Sequence, residues 1–291
     1  MTTPLPRASV SSQSPESDVV GSAPAQPVVA PLPPRGDLRR RVLAGETTIG
    51  AFVNLGSVVA AELVARAGFD WALVDLEHGH ATDADLLVHL HAIQTTATSA
   101  LVRVPAAERI RVGRALDMGA DGVMIPRLET TAEIAETVSW MRYPPDGVRG
   151  VALPPRGGGY GETGHAEMRS INERVLGIFQ VESPAAVREA AAVAALDGVD
   201  VLFVGPADLS HAMGVPGRFD DPGFIGALDA VIAAARAHGK SAGILLAAAD
   251  RVPAALEQGF TFVGVGSDSA YLIAGARATV RESRAAIAAR R

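Results

Sequence analysis

Eight short apolar runs, each followed by a longer amphipathic segment, constrain the fold of this chain more than any other feature of its sequence. Runs of roughly four to eight apolar residues are typical of buried parallel strands. The predicted strands are 48–54, 71–76, 100–104, 122–126, 175–182, 201–205, 242–247 and 262–266. Eight strands that alternate with helices predict a parallel (β/α)8 TIM barrel, with a doubly wound open sheet as the alternative.

The segments between the predicted strands have the periodicity of helices, and several of them end in glycine. Gly68, Gly119, Gly239 and Gly259 follow such segments directly. Glycine is favoured where a helix closes with a residue in the left-handed conformation. These positions therefore predict the points at which the chain turns back into the next strand.

Residues 1–35 differ in composition from the rest of the chain. They contain eight prolines and no aromatic residue. Such a segment buries too little apolar surface to offset its ordering entropy, so it is predicted to be a disordered tail. Residues 36–291 are predicted to form the barrel domain.

Composition excludes several classes of function. The net charge of −6 and the absence of a run of basic residues argue against nucleic acid as a partner. The chain has no cysteine, which excludes disulfides, thiolate metal sites and a cysteine nucleophile. No apolar run approaches the roughly 18 residues of a membrane span. We therefore expect a soluble cytoplasmic protein that acts on small molecules.

The stretch 70–80, DWALVDLEHGH, joins a predicted strand directly to ionisable residues. Asp75, Glu77 and His78 follow the apolar run within four positions. The carboxyl ends of barrel strands carry the active site in enzymes of this architecture. Polar residues also end the third, fifth and sixth predicted strands, so we expect all of them to lie on one rim.

Glu182 and Asp208 end two adjacent predicted strands and predict a metal site. Two carboxylates leave about four octahedral positions for water or a chelating substrate, which suits Mg²⁺ or Mn²⁺. The alternative is that Glu182 and Asp208 only stabilise the first turns of the helices that follow.

Arg103 ends a buried strand, where a guanidinium is costly unless it meets an anion. We interpret it as a binder of an oxyanion or carboxylate, with a structural salt bridge as the alternative. The segment 205–210, GPADLS, is predicted to place backbone N–H groups on the same rim. Those groups can bind a small carboxylate.

His78 is the histidine that directly follows a predicted strand, and a histidine can transfer a proton near pH 7. Asp117, flanked by apolar residues, is a candidate to orient it. The glycine-rich segment 154–164 lacks the lysine of a phosphate-binding loop and is interpreted as a lid or a subunit contact.

Lys240 is the only lysine in the chain. A Schiff-base mechanism would have to use it. Because it precedes the seventh predicted strand, it is expected at the opposite face of the barrel.

Seven segments resemble the HpcH/HpaI aldolases, which are metal-dependent pyruvate aldolases. The segments read AFVNLGS, AELVARAGFDWALVDLEHGH, LVRVP, ALDMGADGVMIPRLET, RYPPDGVRG, QVES and GVDVLFVGPADLS, and the resemblance as a whole extends over about residues 37–275 in unbroken order. The resemblance implies a barrel of the phosphoenolpyruvate/pyruvate-binding type. It also implies a homohexamer in which the last helix packs on a neighbouring subunit.

The resemblance assigns roles residue by residue. Glu182 and Asp208 would bind the divalent cation (Mg²⁺ or Mn²⁺, with Co²⁺ or Zn²⁺ as alternatives), and Gln180 would support them. Arg103 would contact the keto oxygen of pyruvate. The backbone of the turn formed by Gly205, Pro206, Ala207 and Asp208 would bind its carboxylate. His78 and Asp117 would form an acid/base dyad.

The expected reaction is reversible cleavage of a 4-hydroxy-2-oxo acid to pyruvate and an aldehyde, through an enolate stabilised by the metal and Arg103. Two alternatives are a CoA-ester lyase of the citrate lyase beta type and a non-catalytic protein that binds 2-oxo acids. The identity of the aldehyde cannot be derived from the sequence.

Overall fold

The eight predicted strands close into a single parallel barrel. A computed structural model describes residues 36–127 and 129–290. Neighbouring strands pair in chain order, and the eighth strand pairs with the first. This closure confirms the (β/α)8 prediction over the open sheet. The predicted tail, 1–35, lies outside the described residues.

The observed strands begin and end within one residue of their predicted limits. They are β1 (Thr48–Val53), β2 (Trp71–Asp75), β3 (Ser99–Arg103), β4 (Gly122–Ile125), β5 (Leu176–Val181), β6 (Val201–Val204), β7 (Ser241–Leu246) and β8 (Phe262–Ser267). Ten α-helices lie within the described residues: α1 (Asp37–Leu43), α2 (Val58–Arg66), α3 (Leu86–Ile93), α4 (Arg109–Asp117), α5 (Thr131–Met141), α6 (Pro184–Ala194), α7 (Pro206–Ala212), α8 (Pro222–Ala237), α9 (Val252–Gln258) and α10 (Asp268–Ala288).

The alternation of side chains along each strand separates two apolar layers. Outward-facing residues pack against the helices, and inward-facing residues fill the barrel. The indole of Trp71 stacks on the ring of Phe262 inside the barrel, with ring centroids 4.5 Å apart. A polar residue at the carboxyl end of a strand therefore enters the pocket only when it continues the inward-facing series.

Helix α1, which the sequence analysis did not predict, closes the barrel at the face where the strands begin. Its Leu38 and Val42 belong to the interior apolar cluster. The carbonyl of Val42 accepts a hydrogen bond from Ser241 Oγ at the start of β7. Three consecutive arginines in this seven-residue helix weaken its apolar periodicity, which explains why the pattern was missed.

The predicted glycine terminators are confirmed. Gly68, Gly119, Gly239 and Gly259 all have φ between 64° and 117°, a region that favours glycine. Each ends a helical segment on the face where the strands begin.

Helix α10 extends from the barrel with most of its length exposed. Asp268, its first residue, is its one buried residue, and its carboxylate accepts hydrogen bonds from the backbone of Asn54 and Leu55. Further along the helix, Leu272, Val280 and Ile287 are exposed in the single chain. The packing of this helix on a neighbouring subunit stays a prediction. Within the described residues, no helix combines the length and apolarity needed to cross a membrane.

The first prediction concerns the interior packing. A Cβ added at Gly50 in β1 would lie 1.9 Å from the Trp71 ring. We expect Gly50→Ala to lower the free energy of unfolding by about 1–3 kcal/mol or more, because overpacked cores are strained.

Gly113→Ala is the matched control, since Gly113 lies inside α4 and its added Cβ would meet nothing within 4 Å. That change should raise stability by roughly 0.5–1 kcal/mol through helix propensity. Urea unfolding of both variants measures the difference. Equal stability of Gly50→Ala and the wild-type protein would contradict the packing described above.

Candidate active site

Three polar side chains end the inward-facing series of their strands and so enter the barrel mouth. Asp75 follows Leu73 in β2, Arg103 follows Leu101 in β3, and Gln180 follows Ile178 in β5. Asp75 and Arg103 are directly paired in the β2–β3 register. All three are buried. Because side chains alternate along each strand, the ends of these three strands place polar groups on the same rim.

Arg103 and Asp75 form a two-bonded ion pair. Arg103 Nε donates to Asp75 Oδ1 at 2.9 Å, and Nη2 donates to Oδ2 at 2.7 Å. The guanidinium also lies over the Phe52 ring, 5.2 Å from its centroid. Burial raises the pKa of Asp75, but the hydrogen bonds and charge of Arg103 outweigh it and hold that pKa below its ordinary value. Asp75 is therefore an ionised carboxylate at neutral pH.

The salt bridge that the sequence analysis kept as an alternative for Arg103 is thus present. This salt bridge does not use all the hydrogen-bond donors of the Arg103 guanidinium, which has five N–H groups. Two of them donate to Asp75, and Nη1 lies 3.2 Å from Glu77 Oε2. Asp75 Oδ1 also accepts hydrogen bonds from the backbone N–H groups of Glu77 and His78, which fixes the turn after β2.

Glu182 and Asp208 line the same pocket as Gln180. Gln180 Nε2 donates to Glu182 Oε1 at 2.6 Å. A Cβ at Gly205 would lie 2.7 Å from the same oxygen, so the absence of a side chain there makes room for Glu182. Burial, and then the charges of Asp208 and Glu77, raises the pKa of Glu182 to about 7. The rim therefore has an excess of negative charge around Glu182.

This arrangement fits a divalent cation. Glu182 and Asp208 offer carboxylate oxygens, and Gln180 Oε1 is buried without a hydrogen-bond partner. Within the described residues, no group of three or more His, Cys, Asp or Glu side chains is placed to hold a metal. Two carboxylates leave most of the coordination sphere to water and substrate oxygens, as is usual for Mg²⁺ in enzymes.

The turn between β6 and α7 supplies backbone donors next to these carboxylates. It consists of Gly205, Pro206, Ala207 and Asp208, and α7 begins at Pro206. The N–H groups of the first helical turn have no partner within the helix. Those of Ala207 and Asp208 are therefore available to a ligand.

His78 and Asp117 lie apart within this chain, so their pairing stays a prediction. His78 follows β2 on the rim, with its side chain 56% exposed and Nε2 3.8 Å from Glu77. Asp117 is the last residue of α4 and pairs with Arg149 at 2.7 Å. A helix that follows a strand runs back along the barrel, so its last residue lies at the opposite face.

The glycine-rich segment is also at that opposite face, which argues against a lid. Arg156 hydrogen-bonds to Gln94, which follows α3. A Cβ at Gly157 would lie 2.2 Å from the carbonyl of Leu116 near the end of α4. This part of 154–164 is therefore packed where the strands begin, away from the rim.

The sequence analysis missed Arg127, which follows β4. Its Nε lies 3.3 Å from Glu77 Oε1. It lines a pocket of about 270 Å³ together with Glu129, Gln180, Glu182, Ser183, Ala186, Asp208 and Ala212. The rule that strand ends share a rim applied to β4 as well and would have identified this residue.

The raised pKa of Glu182 yields the second prediction. In the folded chain Glu182 titrates near pH 7, above the ordinary value of 4.5. Between these values the folded state keeps a proton that the unfolded state loses, so the free energy of unfolding falls as pH rises. With divalent ions removed, Glu182→Gln should therefore gain stability relative to the wild-type protein as pH rises from about 5 to about 7.5.

Thermal unfolding across this pH range measures the effect. Glu257→Gln, exposed on α9, is the control for loss of a carboxylate far from the rim. A stability difference between Glu182→Gln and the wild-type protein that stays constant with pH would contradict the electrostatics described here.

Comparison with known proteins agrees with this geometry. The sequence profile of the HpcH/HpaI aldolase/citrate lyase family matches residues 48–275. A 5-keto-4-deoxy-D-glucarate aldolase of Salmonella paratyphi C (strain RKS4594) is 39% identical over 225 residues, which are 77% of this chain and 88% of that protein.

Two solved structures share the fold. An HpcH/HpaI aldolase/citrate lyase family protein from Burkholderia cenocepacia J2315 has a TM-score of 0.82 and 36% identity, with 86% of this chain and 99% of that one covered. An HpcH/HpaI aldolase from Desulfitobacterium hafniense DCB-2 has a TM-score of 0.80 and 30% identity, with 85% and 96% covered. Aldolases of this family generally depend on a divalent metal ion. The chain therefore belongs to the HpcH/HpaI aldolase/citrate lyase family and is a carbon–carbon lyase of the aldolase type.

Proposed function

We propose that this protein cleaves a 4-hydroxy-2-oxo acid reversibly to pyruvate and an aldehyde, with a divalent cation held by Glu182 and Asp208. The observation that carries the proposal is the meeting of these carboxylates with Gln180 beside the Arg103 guanidinium. A 2-oxo acid has adjacent carboxylate and ketone oxygens, which match a cation with open positions next to a fixed arginine.

The bound cation would supply electron withdrawal from the 2-oxo group. Arg103 is oriented by Asp75 and directs its remaining N–H groups toward the oxygen that gains charge as the bond breaks. The N–H groups of Ala207 and Asp208 bind the substrate carboxylate. Since these groups sit on strand ends and a helix start, they need no rearrangement to act together.

Cleavage breaks the C3–C4 bond, removes the proton of the C4 hydroxyl and leaves an electron pair on C3 that is later protonated. His78, on the rim beside Glu77, is the proposed group for one of these proton transfers. Asp117 is too far along the barrel to orient His78 of the same chain. Its proposed role beside His78 would therefore require Asp117 of another subunit.

A homo-oligomer is part of this proposal, hexameric by the family resemblance. The exposed apolar residues of α10 support it, because an isolated helix gains stability mainly by packing an apolar face. Condensation of pyruvate with a panel of aldehydes, in the presence of Mg²⁺ or Mn²⁺, identifies the metal and the aldehyde that the protein uses. A CoA thioester in the same assay tests the citrate lyase alternative.

The third prediction separates metal from Schiff-base catalysis. Lys240 precedes β7 and so lies at the face opposite Arg103 and Glu182. We expect a chelator to abolish cleavage and added Mg²⁺ or Mn²⁺ to restore it. Borohydride with pyruvate should leave the protein mass unchanged, and Lys240→Arg should keep most of the rate. A pyruvyl adduct on Lys240, or full activity after exhaustive chelation, would refute the proposal.

The fourth prediction concerns Arg103. Arg103→Lys keeps the charge but loses the planar fork that joins Asp75. The rate of cleavage should fall by about 10²-fold or more, as for loss of a fixed donor to a developing oxyanion. Steady-state kinetics with folded, metal-loaded protein measures this, and a near-wild-type rate would give Arg103 a structural role only.

A further inference from the structure

Arg149 is a buried arginine far from the rim, at the face where the strands begin. Its side chain is 3% exposed. Nη2 donates to Asp117 Oδ1 at 2.7 Å, and the guanidinium carbon lies 4.4 Å from the centroid of the Tyr143 ring. Nε is buried and has no hydrogen-bond partner within the described residues. Because an unpaired buried donor is costly, the placement of this guanidinium favours the contact with Asp117 over full use of its own donors.

The loop 142–149 holds Arg149 in this position. Its ends meet where the backbone N–H of Arg149 donates to the carbonyl of Arg142 at 2.9 Å. Tyr143, near the start of the loop, is buried. Its backbone N–H and carbonyl both form hydrogen bonds with the side chain of Asn172. The backbone therefore fixes both the guanidinium and the ring on which it stacks.

Asp117 is the exposed member of this ion pair. Its side chain is 36% exposed, and in the part of the chain that the structure describes it accepts one hydrogen bond, that from Arg149. Asp200 provides the contrast, because its side chain is 1% exposed. Both of its oxygens accept hydrogen bonds from Arg39, and one also accepts from the backbone of Gly177. The Asp200 pair is complete within one chain, whereas Asp117 Oδ2 is left for an external donor.

We infer that Arg149 is a positioning residue for proton transfer, which orients Asp117 so that its Oδ2 accepts a hydrogen bond from His78 of the partner subunit. This inference rests on the proposed function, in which Asp117 of one subunit lies beside His78 of another. The second ring nitrogen of that histidine is then left to exchange a proton with the C4 hydroxyl of the substrate. Val148 and Val151, close to Arg149 in sequence, are exposed and support a subunit contact at this face.

The first test is the kinetics of pyruvate condensation with glycolaldehyde, or with the fastest aldehyde of the panel, in the presence of Mg²⁺ or Mn²⁺. Arg149→Met should lower kcat by about 10- to 100-fold, a part of the roughly 10²- to 10⁴-fold that general acid–base catalysis contributes. KM for pyruvate should stay within about threefold, because Arg149 touches no substrate atom. Arg149→Lys keeps a buried cation, so it carries the same comparison even if Arg149→Met folds poorly. It should recover part of kcat, because one hydrogen bond to Asp117 needs a single donor.

Arg142→Met is the matched control. Arg142 lies at the other end of the same loop and pairs with Asp197. Its loss should leave kcat within about threefold of the wild-type value. The double variant Arg149→Met/Asp117→Asn should be about as slow as Asp117→Asn alone, because residues that act as one unit do not add their effects.

Mixed oligomers, made by co-expression, show which subunit depends on Arg149. In a random equal mixture of His78→Ala and Arg149→Met subunits, about one quarter of the sites combine an intact His78 with an intact Arg149 and Asp117. Activity should therefore rise above that of either variant alone. A mixture of Asp117→Asn and Arg149→Met subunits should show no such gain, because both changes affect the same carboxylate.

The outcomes separate the two claims. Unchanged kcat in Arg149→Met, an equal loss in Arg142→Met, or an additive loss in the double variant would overturn the role of Arg149 alone. No gain from the mixture with His78→Ala, or a gain from the mixture with Asp117→Asn, would overturn it as well. Full activity of Asp117→Asn would remove the dyad from the proposed function, and this inference with it. A wild-type protein that condenses pyruvate with no aldehyde of the panel would overturn the proposed function as a whole.

Discussion

The ion pair between Asp75 and Arg103 is the interaction on which the rim depends. These residues are register partners on β2 and β3 and both point into the barrel. A slip of one residue would turn the guanidinium outward into the apolar layer beneath the helices. Breaking a buried pair by removing one partner costs about 3–5 kcal/mol, because an unpaired charge is left behind. The register of β2 and β3 therefore also fixes the geometry of the site.

The barrel could be predicted because eight apolar runs of strand length alternate with segments that have the periodicity of helices. Continuous apolar runs marked burial on two faces, and the polar residues that end them marked the rim. The same logic explains the residues that escaped prediction. Helix α1 hides Leu38 and Val42 among charged neighbours, so tertiary packing, not local pattern, determines where they lie. Arg127 directly follows the predicted fourth strand, and applying the rim rule to that strand would have identified it.

His78 and Asp117 lie apart within one chain, although the family resemblance assigns both to the site. Both residues lie in segments that match the family, and sequence gives no direct measure of the distance between them. The direction of α4 shows that they lie far apart, because a helix that follows a strand returns to the face where the strands begin. Arg149, itself stacked on Tyr143 with 4.4 Å between the guanidinium carbon and the ring centroid, holds Asp117 at that face. A single chain therefore places no carboxylate of α4 beside His78.

The rim built by Glu182, Asp208 and Arg103 is proposed to activate C3 of pyruvate. Exchange of the pyruvate methyl protons in D₂O, followed by NMR, measures this activation without any aldehyde. We expect the wild-type protein to exchange them only when Mg²⁺ or Mn²⁺ is added. Glu182→Ala should lose the exchange, and Lys240→Arg should retain it. Exchange by Glu182→Ala at the wild-type rate, or none by the metal-loaded wild-type protein, would contradict the claim.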